Sequence, residues 1–192
     1  MYKGLKLLCA TSVIVLLWSC KAQMTTEEKA QEMTVLNTLL AQQDYRIAID
    51  EAQPFNTNAT LQVFYALNMQ TFGDTPGRIN VSADGHVIKI QNDSITGSLP
   101  FFGERQLGSA SYGGRDIGIQ FESKLKDFSK SINEDKGKLI MKFSADQKDG
   151  NTENHDVIIE FFPNHDVFVK VNSTHRTIMG YRGRLEAKEA VE

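Results

Sequence analysis

The sequence predicts a mainly β protein: an antiparallel meander forming a curled sheet, a sandwich or a partly open barrel, with one N-terminal helix. Three observations carry this. From Tyr45 onward apolar residues recur with a period of two, the period of a pleated strand. The runs are joined by short polar connections rich in turn residues, such as Asp84-Gly85, Asn92-Asp93 and Glu134–Gly137. Folding the chain at the first two of these turns lands Ile79, Val81, Ile88, Ile90, Ile95 and Leu99 on one face. Three strands share a face only in the right register, because a one-residue slip inverts every side chain.

Residues 1–19 read as an export signal. Lys3 and Lys6 precede an uncharged run from Leu7 to Trp18, and Leu17-Trp18-Ser19-Cys20 closes it. The run is short for a spanning helix, which needs about 20 apolar residues. The order of charge, apolar run and small residue fits a signal peptide ending in a lipobox, with Cys20 the acylated residue. Trp18 departs from the small residue usual two places before such a cysteine, and a soluble export signal cut elsewhere is the alternative. Acyl chains contribute about 0.8 kcal/mol per buried CH₂, so a diacylated or triacylated Cys20 anchors the chain to a membrane.

Residues 20–43 then form the anchored N-terminus and a helix. Thr25-Thr26-Glu27-Glu28 fits a capping box, and Met33, Leu36 and Leu40 recur at helical spacing, with Val35 and Leu39 widening the stripe. Such a stripe reads first as packing on the protein's own sheet, and second as a partner-binding face.

Residues 44–186 read as one β-rich domain and 187–192 as a polar tail. Tyr45–Ile49 is the first expected strand. Leu61, Val63, Tyr65 and Leu67 alternate, but Phe64 and Ala66 interrupt the polar side, and Phe72–Gly77 reads as a loop. In the meander, Val81 is expected opposite Ile88, Ile79 opposite Ile90, and Ile90 opposite Ile95. Further on, Ile117, Ile119 and Phe121 alternate with polar residues, as do Leu139, Met141 and Phe143. Val157–Phe162 and Val167–Val171 are joined by Pro163-Asn164-His165-Asp166.

Composition excludes several function classes. Without Lys3 and Lys6, the rest of the 21 basic residues face 24 acidic ones, and no basic run stands out, so nothing draws the domain to nucleic acid. The two cysteines are Cys9, lost with the signal, and Cys20. Cysteine catalysis and Cys-ligated zinc are thereby removed. No His-Glu-x-x-His, Gly-x-Ser-x-Gly or phosphate-loop pattern occurs, and no cofactor is implied.

The four histidines, His86, His155, His165 and His175, read as turn and surface residues. A hairpin register that sets His155 opposite Thr174 brings no two of them together, and no metal site is expected. In that register Glu160 shares a face with Ile158, Phe162, Val167, Val169 and Val171, while Ile159, Phe161, Phe168 and Lys170 face the other way. That pattern suits a sheet covered on both sides. The best site candidate is Pro100–Asp116, where Phe101, Phe102, Arg105, Tyr112 and Arg115 stand among glycines. Aromatic rings supply apolar area and arginines directional donors, the usual means of holding a ligand or partner. The structural reading of the same segment is a crossover that packs Phe101 and Phe102 into a barrel end.

Leu99-Pro100-Phe101-Phe102-Gly103, Ser111-Tyr112-Gly113-Gly114 and Gly118-Ile119-Gln120-Phe121 resemble the core of an uncharacterised family of Bacteroidota envelope lipoproteins, domain of unknown function 4251. Phe162-Pro163-Asn164, Val171-Asn172-Ser173, Arg176 and Ile178–Gly183 extend the resemblance. It implies a β-rich fold at the outer membrane and no activity. The expectation is a non-catalytic binding module for a small apolar or amphiphilic ligand, held inside the curled sheet or under the Pro100–Asp116 segment. The alternative is an assembly factor that docks on another envelope protein.

Overall fold

A computed structural model describes residues 25–69, 73–105, 118–148 and 153–187. Two helices, α1 (Thr26–Ala41) and α2 (Asn58–Ala66), accompany ten strands. These are β1 (Asp44–Pro54), β2 (Ile79–Asn80), β3 (Val87–Gln91), β4 (Ser94–Leu99), β5 (Ile119–Lys124), β6 (Lys126–Asn133), β7 (Lys138–Asp146), β8 (Asn154–Phe161), β9 (Asp166–Ser173) and β10 (Arg176–Ala187).

All pairings are antiparallel, in the order β5-β4-β3-β1-β10-β9-β8-β7-β6, with β2 added on β1. The two ends of this path are consecutive in the chain, with only Leu125 between β5 and β6. One kinked run therefore pairs with β4 through its first half and with β7 through its second, and the sheet curls into a nearly closed barrel. A bridge between Phe121 and Gln147 and a bond from Lys148 N to Gln120 O (2.7 Å) carry the closure past β7. Of the three architectures open to the sequence, the barrel is the one formed.

The inward residues fill it. Ile47, Ile88, Ile95, Ile119, Leu139, Ile159, Val169 and Tyr181, one from each of eight staves, are all 0% exposed. Side chains meet across the interior. The Tyr45 hydroxyl reaches Met141 Sδ at 3.8 Å, and Phe121 meets Phe143 edge-on at 6.2 Å between ring centres. Gly97, paired with Phe121, leaves the space that the Phe121 ring occupies: a Cβ there would lie 2.2 Å from Cζ.

The helix begins as its sequence predicts. Thr25 Oγ1 accepts from Glu28 N (3.2 Å) and the Glu28 carboxylate accepts from Thr25 N (2.8 Å), the reciprocal capping box. Leu36 and Leu40 are buried against β1 and β7, which stand on opposite sides of the barrel, so α1 lies across one end. The stripe is narrower than expected, because Val35 is 54% exposed.

The interrupted alternation of Leu61, Val63, Tyr65 and Leu67, which assigned no element, is resolved as a helix over Asn58–Ala66. Two expectations are corrected. The turn at Asp84-Gly85 forms, with Gly85 at φ +71°, but it does not close a hairpin of Val81 on Ile88. β1 is twice as long as expected, and β2 and β3 both pair along its same edge, Ala52 with Ile79 and Ile47 with Ile88. All six meander residues are nevertheless buried on one side, and Ile90 does face Ile95. The second correction is the β8–β9 hairpin, which pairs His155 with Ser173 and Val157 with Val171, one residue from the expected register. His165 adopts φ 65°, its N–H bonds Phe162 O (3.0 Å), and Phe162 N bonds Asp166 O (3.0 Å), giving a three-residue loop with a bulge. The slip turns Val167, Val169 and Val171 inward beside Val157, Ile159 and Phe161.

Candidate functional site

At the end of the barrel opposite α1, polar side chains are buried where strands alone would leave apolar ones. β7 delivers Gln147 just past its end, β8 delivers His155, β9 Ser173 and β10 Arg176, and Glu153 precedes β8. His155 is 0% exposed. Its Nδ1 lies 2.7 Å from Ser173 Oγ and its Nε2 2.8 Å from Gln147 Oε1. Gln147 Oε1 can only accept, so Nε2 carries the proton and Nδ1 accepts from the serine hydroxyl. Burial pushes the imidazole pKa down to about 4, with the nearby Glu153 charge opposing the shift, and the ring is neutral near pH 7.

Arg176 sits beside this group. Its Nε bonds both Glu153 oxygens (2.9 and 3.0 Å), Nη1 donates to Gly118 O (2.9 Å), and the guanidinium lies 5.1 Å from the Phe101 ring centre. The Arg176 Nη2 and Gln147 Nε2 donors are buried without a partner among the described residues. The segment leading away from β4 is clamped here. Tyr181 Oη donates to Pro100 O (2.7 Å), Thr177 exchanges bonds with Glu104, and Arg105 bridges to Arg176 through the backbone.

Ser173, His155 and Gln147 therefore stand in the order nucleophile, base, orienter, a constellation that the expected register hid by placing Thr174 opposite His155. Ser173 is 6% exposed, the imidazole abuts Phe121 with ring centres 6.2 Å apart, and the two cavities described below open elsewhere. These bonds tie the ends of β7, β8 and β9 together where the sheet closes.

Of the sequence-predicted residues, Phe101 and Phe102 are half-buried and pack against the core, and Arg105 is tied to β10. For Phe101 and Phe102 this is the packing that the crossover reading expected, and residues 106–116 of the segment lie outside the described residues. Tyr112 and Arg115 lie outside the described residues, as does Cys20. Glu160 faces outward opposite Phe168 and is ion-paired with Lys138. His165 occupies its turn as expected, and His86 stands near Asp84 (4.0 Å), but His155 is a core residue rather than a surface one. Among the described residues no three His, Cys, Asp or Glu side chains gather as a metal site needs, and no helix is long and apolar enough to cross a membrane. Sequence reasoning missed Gln147 and Glu153. Ser173 and Arg176, their neighbours, are the members that the family resemblance marked.

The barrel's inside is occupied, and two cavities open on its outside. The larger, about 1590 Å³, lies between α1, the turns after β6 and β8, and Arg182 of β10. The smaller, about 640 Å³, is floored by Phe168 and Gly180 and edged by Phe55 and Ile178, which are 64% and 40% exposed.

A helix-plugged antiparallel barrel closed by one kinked strand is the class that this geometry defines. The model of the family described as "Domain of unknown function (DUF4251)" matches residues 27–185, and the chain belongs to that family. Among solved structures, a DUF4251 family protein from Bacteroides eggerthii DSM 20697 is similar in fold, with a TM-score of 0.52 at 12% identity, over 85% of this chain and 92% of that one. No curated protein matches.

Proposed function

We propose that this protein is a non-catalytic envelope lipoprotein that docks on another protein of the envelope, anchored through Cys20. The observation that carries the reading is the filled barrel. A carrier of a small apolar ligand needs an enclosed cavity of ~300 Å³ or more, and here eight staves each direct a fully buried side chain into that space. What remains for recognition is outer surface. Phe55 and Ile178 stand exposed side by side, since their neighbours Pro54 and Met179 are paired, and Phe168 adjoins them. Exposed apolar neighbours on a monomer favour a protein partner over a soluble metabolite. The sequence supports the anchor, and a Cys20 only five residues before the Thr25 cap leaves a short tether.

Native mass spectrometry of the full chain purified from its own envelope tests this. The expected species is the chain with a stoichiometric protein partner, lost on Phe55→Asp. A small molecule bound one to one, released only on unfolding, would overturn docking in favour of carriage. The anchor is tested separately: Cys20→Ala is expected to leave the membrane fraction.

A further inference from the structure

We propose that the partner docks through a segment in which carboxylates stand among apolar side chains, held by a cluster of cations on the outer face of β7 to β10. The inference rests on the docking reading and names the chemistry of what docks. Register sets Lys142 of β7, Ile158 of β8, Lys170 of β9 and Gly180 of β10 side by side, with Gln53 of β1 next in the row. Neighbouring strands lie about 4.8 Å apart, so Lys142 and Lys170 flank the half-buried Ile158 at roughly 10 Å from one another. Lys170 lines the cavity of about 640 Å³, and Phe168, two residues earlier on the same face, pairs with Arg182. The Phe168 ring leans over Gly180, whose Cβ would lie 3.2 Å from Cζ, and gives the cavity its apolar floor.

Charge says what the cavity receives. Lys142, Lys170 and Arg182 are exposed, and none of them forms an ion pair with a described residue. The carboxylates beside them are engaged: Glu160 pairs with Lys138, Glu51 pairs with Arg78, and Asp156 accepts from the Ser144 hydroxyl (2.9 Å). Three cations are thus set against Asp156, the neighbouring acid that no described cation neutralises. The whole chain is net −3, so this positive face runs against its overall balance. A purely apolar partner would strip water from the ammonium groups without replacing it, and a basic one would be repelled. Carboxylates flanked by apolar side chains meet both demands. Anionic lipid offers the charge, but a flat bilayer does not reach a floor set below the rims of Phe55 and Ile178.

Carbodiimide coupling of the full chain in its own envelope tests this. The reagent takes up the water lost between an amine and a carboxylate, leaving an amide at Lys170 Nζ and a urea. The expected product is Lys170 joined to an Asp or Glu of the same stoichiometric partner that native mass spectrometry finds. Lys170→Arg keeps the charge but not the amine, and should keep the complex while losing the amide. Lys170→Glu should lower the complexed fraction by about tenfold. Lys89→Glu makes the same reversal at an exposed site on β3, opposite Arg46, and is expected to change nothing. A complex that survives Lys170→Glu, or one that yields no Lys170 amide, leaves docking standing and overturns its acidic chemistry. A chain that carries no partner overturns both. A second copy of this chain, or phospholipid alone, as the bound species also overturns the inference.

Discussion

His155 is an ionisable residue held entirely out of water. Both ring nitrogens are held and the ring is fully buried, so its charged form is excluded from the fold. Its pKa falls from 6.5 to about 4. The sign follows from linkage. Between those values the unfolded chain binds a proton that the folded one refuses, so stability falls as pH drops from 6.5 toward 4 and is untouched above 6.5. The full difference is about 3 kcal/mol at low pH. Urea unfolding at pH 7 and pH 4.5 should show a larger loss in the wild type than in His155→Gln. Equal losses would mean that other groups govern the acid limb. Arg176 and Glu153 are the neighbouring case. Guanidinium and carboxylate are both buried and each is tolerable only because of the other.

At the scale of elements, turns and glycines set what the strands can do. Gly97 of β4 is the clearest instance, since the Phe121 ring lies where its Cβ would go. Gly97→Ala should therefore destabilise by ~1–3 kcal/mol, the range for overpacking, read as a lowered urea midpoint with an unchanged slope. A combined Gly97→Ala/Phe121→Leu chain should recover part of the loss, and no recovery would place the strain elsewhere. The same scale explains what the sequence disclosed. Strands with one clean apolar face, β3, β4 and β7, were legible because burial on one side imposes period two. The β8–β9 register was not, because it depends on His165 adopting a positive φ, and nothing in Pro163-Asn164-His165-Asp166 distinguishes three loop residues from four. That single residue decided whether Ser173 or Thr174 met His155, and so whether the polar cluster could be foreseen. β6 carried no signal, since an exposed edge strand needs no apolar alternation. The short helix α2 was hidden by apolar residues that alternate by chance.

For the whole molecule, the decisive feature is that its first and last strands, β1 and β10, pair with each other within the sheet. β10 lies between β1 and β9, pairing Ile47 with Leu185 on one side and Tyr181 with Val169 on the other. Without β10 the path breaks into two open pieces: β5-β4-β3-β1 and β9-β8-β7-β6. Each would expose a face built for burial, and the β5–β6 kink, with the bonds of Gln120 and Phe121 past the end of β7, would be what connects them. Closure thus waits for the last strand, and its pairings span most of the chain. Such non-local topologies pay loop-closure entropy early and fold in milliseconds to seconds rather than microseconds. A chain ending at Ser173 should lose the cooperative urea transition altogether and bind the dye ANS, while a chain ending at Ala187 should unfold as the wild type does. A two-state transition of wild-type slope in the shorter chain would show that the barrel closes by some other pairing, and would remove the filled interior on which the docking reading stands.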